Sequence, residues 1–331
     1  MRRELTWASI LAALSLCLIM TYDIYVSPGV EREDAREIWI TIPEGLSTRE
    51  IAEKLRDEGV IEHSLLFVLL AKLTGVERNL PAGRFRMELG MSEIDCVRTI
   101  AKGGVTSLAV TIPEGYTIRD IAMLLTERLE IDTGRFISLC SDDRFVKELG
   151  LEGKTLEGYL FPDTYEFGWG CDEAELAKVM VRRFNAVFAQ EWQERTMTSL
   201  LPYETLILAS IVEGEAMRDD ERALIAAVFF NRLRLKRPLQ ADPTIQYLLK
   251  GHRRRILYRD LEIDSPYNTY LYTGLPPSPI CSPGRASIRA ALNPAHVDYL
   301  YFVAKGNGGH LFSKTLEEHN RAKKELKQTQ R

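Results

Sequence analysis

No C-x-x-C pair occurs among the five cysteines, and the five histidines (His63, His252, His296, His310 and His319) stand at no ligand spacing. The sequence therefore argues against a zinc module and a thioredoxin-like redox motif, and it implies neither a metal nor an organic cofactor. Neither sign of charge is in surplus. The 43 Lys and Arg residues and 47 Asp and Glu residues are interspersed to a net charge of -4, which speaks against a nucleic-acid partner. Cys96, Cys140, Cys171 and Cys281 allow three disulfide connectivities, of which their spacing selects none, so buried thiols are the plainer expectation.

Long apolar runs are also scarce, with one exception at the N-terminus. After Met1-Arg2-Arg3 the chain is largely apolar from Leu5 to Val26, interrupted lightly by Thr6, Ser9, Ser15, Thr21 and Asp23. About 20 helical residues at ~1.5 Å each span a ~30 Å bilayer core. Tyr22-Asp23-Ile24-Tyr25 replaces the small residues of a signal-peptidase site, and Leu16 before Cys17 disfavours a lipoprotein signal. An uncleaved single-pass anchor in the cytoplasmic membrane is expected, with the paired arginines inside and the body of the chain extracytoplasmic. The expected organisation is a cytoplasmic stub (1–4), a transmembrane helix (5–26), a linker (27–37), a small α+β module (38–108), a mixed α+β domain (109–326) and a tail (327–331).

An internal repeat marks the start of both folded parts. Ile40-Thr41-Ile42-Pro43-Glu44-Gly45 recurs as Val110-Thr111-Ile112-Pro113-Glu114-Gly115, and the match continues through Arg49/Arg119, Ile51/Ile121, Ala52/Ala122 and Leu55/Leu125. Each copy reads as a strand, a turn and an amphipathic helix. Between them the pattern predicts a helix over 64–73, strands over 83–88 and 106–112, and a helix over 92–102. This arrangement resembles the LysM-like modules that bind amino-sugar polymers. Further helices are expected over 136–151 and 172–195. Between those two helices lies Glu157-Gly158-Tyr159-Leu160-Phe161-Pro162-Asp163-Thr164-Tyr165, aromatic enough to stack against sugar rings or to form a buried turn.

The chemistry concentrates after residue 205. From Leu206 to Val212 only Ser210 is polar, so this turn and a half is expected to be buried on most of its circumference. Glu213 comes where that burial ends, near the negative end of the helix dipole. Desolvation and the dipole would both raise its pKa and suit it to donate a proton near neutral pH. Glu215, two residues on, points about 200° away unless the helix ends at Gly214. Asp219-Asp220-Glu221 is expected to cap the next helix, whose Asn231 lies partly on the apolar face. The loop Gln240-Ala241-Asp242-Pro243-Thr244 sets polar side chains beside a stiffening proline, and Tyr267 and Asn268 follow in another rigid loop.

Several blocks occur together in one order: Ala209 to Glu213, Phe229 to Leu233, Leu239 to Thr244, Tyr267 to Tyr270, Gly274 to Pro277 and Tyr299 to Ala304. With Glu157 through Tyr165, they resemble the YceG-like family of endolytic murein transglycosylases. The resemblance implies that Glu213 is the catalytic acid/base. It would protonate the oxygen leaving between N-acetylmuramic acid and N-acetylglucosamine, then take the proton of the muramyl C6 hydroxyl as that oxygen closes on C1. A 1,6-anhydro end results. Glu157, Tyr165, Glu215, Asn231, Gln240, Asp242, Thr244, Tyr267 and Asn268 would bind substrate or support the site. Peptidoglycan glycan strands are the implied substrate, and peptidoglycan synthases are possible partners. Gly214 departs from the family's charged residue between the two glutamates, and Cys281 follows the proline-rich loop. Two other readings remain open at this point: a two-carboxylate hydrolase using Glu213 and Asp242, and a non-catalytic peptidoglycan-binding scaffold.

Overall fold

A computed structural model describes residues 36–43, 45–104, 107–196, 198–249 and 256–329. The expected transmembrane helix lies outside these residues. Among the described residues no helix is long and apolar enough to cross a membrane. Among the described residues the chain is α+β: largely helical, with three two-stranded sheets. It divides into two compact units. Of the described residues, one unit comprises those up to Ala109 with Glu166–Cys171, and the other those of Val110–Tyr165 with those from Asp172 onward. No single linear boundary anticipates the return of 166–171 to the first unit.

In the first unit β1 (Glu37–Ile42) is followed by α1 (Thr48–Asp57), α2 (Ser64–Leu73), β2 (Gly83–Glu88) and α3 (Glu93–Ala101). β1 and β2 pair antiparallel with Ile40 opposite Phe85 and Ile38 opposite Met87. Alternation turns Ile40, Ile42, Phe85 and Met87 inward, where they meet Ile51 and Leu55 of α1, Phe67 and Leu70 of α2, and Val97 and Ile100 of α3. Ser47 caps α1 in a reciprocal box with Glu50.

β3 (Ser107–Thr111) pairs with β4 (Thr164–Gly168). Between them run α4 (Ile118–Leu129), α5 (Thr133–Cys140) and α6 (Asp143–Glu148). The second copy of the repeat keeps its logic: Thr117 and Asp120 form the capping box of α4, and Ile121, Ala122 and Leu125 are fully buried like their counterparts Ile51, Ala52 and Leu55. The single helix expected over 136–151 is two, because the Asp142 side chain accepts the Arg144 N–H and starts a new turn.

The second unit continues with α7 (Glu173–Gln193), α8 (Pro202–Glu215), α9 (Arg222–Arg234), α10 (Asp242–Leu248), α11 (Arg285–Leu292), the hairpin β5 (Tyr301–Ala304) and β6 (His310–Ser313), and α12 (Leu316–Thr329). Residues 327–329 of the expected tail are thus the end of a helix. α8 is the centre: every residue from Thr205 to Val212 is buried, and α9, α10 and α11 pack against it. Of its buried polar residues, Ser210 has a use. Ser210 Oγ donates to Ile207 O (2.8 Å) and accepts the Ile280 N–H (3.0 Å), tying the proline-rich segment to the helix. Cys96, Cys140 and Cys281 are buried free thiols.

Candidate active site

α8 runs unbroken through Glu215 and ends on Ala216, so Glu213 and Glu215 leave its last turn in different directions. Glu213 does not stand among apolar walls as the sequence suggested. Its Oε1 accepts from Arg222 Nη1 at 3.0 Å and its Oε2 from the Gly284 N–H at 2.8 Å, with the side chain 6% exposed. Arg222, which opens α9, also donates to Asp219 Oδ1 (2.9 Å) and to Ser287 Oγ, and its Nη2 lies 3.8 Å from Glu114 Oε2. One guanidinium therefore gathers three carboxylates. Glu114 belongs to the second repeat turn and lies directly over Gly284, where a Cβ would stand 1.8 Å from Glu114 Oε1. Burial, then the neighbouring charge of Glu213, raises the Glu114 carboxyl above the usual range.

Glu215 has different surroundings. It lines a cleft of about 450 Å³ with Arg232, Gln240, Asp242, Tyr270 and His310. Burial first, and the charge of Asp242 second, push its carboxyl up to about 7. Asp242 Oδ1 accepts the Tyr270 hydroxyl. Gln240 holds a left-handed backbone (φ 53°) fixed by its N–H on Thr269 O (2.9 Å), and its Oε1 accepts from Arg232 Nη1 at 3.1 Å.

Behind this wall are the residues that hold it. Asp242, Pro243 and Thr244, expected as loop, are the first turn of α10, where Pro243 needs no helical N–H partner. The buried Thr244 hydroxyl donates to Ala241 O (2.8 Å) and lies 3.0 Å from the Thr269 hydroxyl. Asn268, fully buried, donates to Leu261 O and Ile263 O (2.9 and 2.8 Å) and accepts the Tyr270 N–H (3.0 Å). Asn231 donates to Val297 O and Tyr299 O (2.8 and 3.1 Å), and Arg232 Nε to Leu300 O (2.7 Å), so α9 fastens the chain leading into β5. Asn231, Thr244 and Asn268 support the cleft.

The remaining candidates sit elsewhere. Glu157 lines a second cleft, of about 440 Å³, with Tyr247 and Tyr267. It accepts the Ile118 N–H at 3.1 Å, and burial pushes it up to about 8. The Tyr267 hydroxyl is 2.6 Å from Ser278 Oγ. Tyr165 is buried and donates its hydroxyl to Phe161 O at 2.5 Å, and Tyr159 and Phe161 are buried with it. These aromatics pack the core of a turn and offer no platform for sugar rings. Nor does Asp219-Asp220-Glu221 cap α9. It is a short 3₁₀ turn whose carboxylates pair with Arg222, Arg218 and His310 respectively.

A profile of the YceG-like family matches residues 40–325. The endolytic murein transglycosylase of Bacillus subtilis (strain 168) is 37% identical over 311 residues, spanning 89% of this chain and 86% of that protein. The chain belongs to the YceG-like family. A second relative, the endolytic murein transglycosylase of Streptococcus pneumoniae serotype 2 (strain D39 / NCTC 7466), is 29% identical over 324 residues, covering 88% of this chain and 59% of that protein. The crystal structure at 2.6 Å of a protein described as yceG-like from Listeria monocytogenes matches with a TM-score of 0.61 and 35% identity, over 87% of this chain and all of that one.

Within this YceG-like chain, the sequence did not single out Arg222, Arg232, Tyr270, Glu114 or the Glu221–His310 pair. Arg232 is adjacent to Asn231 and Tyr270 closes the block that holds Asn268, so proximity to flagged polar residues was the available signal. Arg222 carried none: in sequence it is one more charge in a charged turn.

Proposed function

We propose that this chain is an endolytic lytic transglycosylase of peptidoglycan that cuts the bond between N-acetylmuramic acid and N-acetylglucosamine within nascent strands, leaving 1,6-anhydro-muramyl ends and limiting strand length. The observation that carries the site is the Glu215 carboxyl, held near a pKa of 7 on the wall of a polar cleft opposite Asp242. A carboxyl that keeps its proton close to neutral pH can pass it to a leaving glycosidic oxygen. This geometry supports Glu215 over Glu213 as the acid. Glu213 is already engaged by a guanidinium and a backbone N–H, the partners of a structural carboxylate. Asp242 is held by Tyr270 and faces Glu215, so any two-carboxylate hydrolase would use that pair. The anhydro outcome is favoured by the family. The nucleophile is then the substrate's own C6 hydroxyl, and no water has to be activated.

The same reading assigns residues 5–26 as a single membrane anchor with the N-terminus inside and places the site outside the cytoplasmic membrane, near strands being synthesised. The order strand–helix–helix–strand in β1, α1, α2 and β2 supports a LysM-like glycan-holding module at 38–108. Peptidoglycan synthases are the natural partners of an enzyme that ends nascent strands.

Mass spectrometry of fragments from purified uncross-linked murein strands tests the reaction and the residue together, with the full chain beside its Glu215→Gln and Glu213→Gln forms. Anhydro-muramyl ends made by the wild type and lost with Glu215→Gln are expected. Reducing ends would make the enzyme a hydrolase. Loss with Glu213→Gln and retention with Glu215→Gln would return the proton to Glu213. Protease added outside intact cytoplasmic membranes should digest the body of the chain; full protection would contradict the orientation.

A further inference from the structure

Glu221 and His310 form a buried pair at the edge of the Glu215 cleft. Glu221 Oε2 is 2.7 Å from His310 Nδ1, its Oε1 accepts the His310 backbone N–H at 3.0 Å, and the two side chains are 10% and 6% exposed. The pairing is built by two elements. The 3₁₀ turn before α9 presents Glu221, and the β5–β6 turn, closed by Lys305 N–H on Gly309 O (2.7 Å), delivers His310 opposite Ala304. Burial works against the charge on Glu221, but the backbone N–H and ring of His310 outweigh it and hold the carboxyl below its ordinary value.

An ionised carboxylate only accepts hydrogen bonds, so Nδ1 must carry a proton. Nε2 is then the ring nitrogen whose proton can come and go. Among the described residues it has no hydrogen-bond partner, while the ring, packed edge-on against Phe302 at 5.2 Å, lines the same cleft as Glu215 and Asp242. A histidine that lines a reaction cleft and is oriented through Nδ1 by a buried carboxylate is the arrangement by which enzymes make a general base.

We propose that His310 is the base that receives the muramyl C6 hydroxyl proton, with Glu221 as its positioning residue. This rests on the transglycosylase reading above. The bond from C1 to the leaving oxygen breaks as the Glu215 proton passes to that oxygen. The bond from C1 to O6 forms as the O6 proton passes to Nε2. The imidazolium then returns that proton to the Glu215 carboxylate through the cleft or solvent, restoring both groups. No water, oxidant or co-reactant is consumed. The labour is divided between two side chains, where a single-carboxyl scheme asks one group to give a proton and take the next.

The test compares the full chain with His310→Asn and Glu221→Gln. Asparagine keeps an N–H where Nδ1 was, so it preserves the bond to Glu221 and removes only Nε2. A base role predicts kcat lowered about 100-fold or more in His310→Asn, with strand binding within about twofold of wild type. Glu221→Gln, which can donate to Nδ1 and so place the proton on Nε2, should lower kcat in the same sense. Anhydro ends from His310→Asn at near wild-type kcat would overturn the proposal. So would a loss in His310→Asn that appears only as weaker binding. If His310→Asn does not fold, Glu221→Gln decides alone: wild-type kcat in that variant sinks the base role, and a lowered kcat with unchanged strand binding supports it. If the wild type makes no anhydro ends, the reading beneath fails, a result distinct from either variant behaving like wild type.

Discussion

Gly214 lies so close to Pro243 that a Cβ added to it would stand 2.6 Å from the proline Cβ and 3.0 Å from its Cγ. The absence of a side chain in the last turn of α8 lets the first turn of α10 approach, and that approach brings Asp242 to Glu215. Gly214→Ala should therefore cost stability although alanine is the better helix former by about 1 kcal/mol, because overpacking typically costs about 1–3 kcal/mol. A lower melting temperature, with activity reduced more than the folded fraction, is expected. A variant more stable than wild type and fully active would show that the approach is not tight.

Two carboxyls, Glu157 buried and Glu215 half-buried, give the protein a defined pH response. For Glu215 the folded value, about 7, lies above the ordinary 4.5, so the folded chain binds this proton more tightly than the unfolded chain. Its contribution is favourable below about pH 4.5 and is lost as pH rises toward 7, by at most roughly 3 kcal/mol at 1.36 kcal/mol per unit. Glu157, pushed up to about 8, adds a loss of the same sign over a wider window. Denaturant melts from pH 5 to 8 should show Glu215→Gln gaining on the wild type as pH rises, and the wild-type cleavage rate should fall above about pH 7. A stability difference independent of pH would place Glu215 in water.

Much of this was legible in the sequence because it depended on local pattern. The repeat, its two amphipathic helices and the buried run Leu206 to Val212 follow from spacing alone, and the structure has them where the spacing put them. What spacing could not supply was direction. Glu213 and Glu215 follow the same apolar run, yet which one meets a cation depends on Arg222 and Gly284, 9 and 71 residues away. Likewise Tyr165, Thr244 and Asn268 have the composition of a sugar site, but their polar groups are used on backbone atoms of the chain itself.

Asn268 offers a test of the wall behind the cleft. Its amide faces two carbonyls and its oxygen accepts the Tyr270 N–H, with no exposure to water. Asn268→Asp keeps the shape but turns both donors into acceptors facing acceptors, each unsatisfied group costing about 1–3 kcal/mol. A loss of about 2–4 kcal/mol in chemical denaturation is expected, with reduced activity because Tyr270 holds Asp242. A loss below about 0.5 kcal/mol would mean the loop rearranges freely.

Arg222 joins Glu213, Asp219, Glu114 and Ser287, and its removal separates structural from catalytic use of Glu213. Arg222→Met leaves the Glu213 carboxylate, 6% exposed, with the Gly284 N–H as its remaining partner. Breaking one side of a buried ion pair typically costs about 3–5 kcal/mol. Glu213→Gln alone should cost less, since Arg222 keeps the exposed Asp219 at 2.9 Å. The double variant should cost clearly less than the sum of the two, because no buried charge is then left unpaired. Unfolding free energies of the four proteins measure that coupling directly. A coupling near zero, with Arg222→Met within about 1 kcal/mol of wild type, would mean that solvent already screens the pair, and the argument that Glu213 is a structural carboxylate would lose its support.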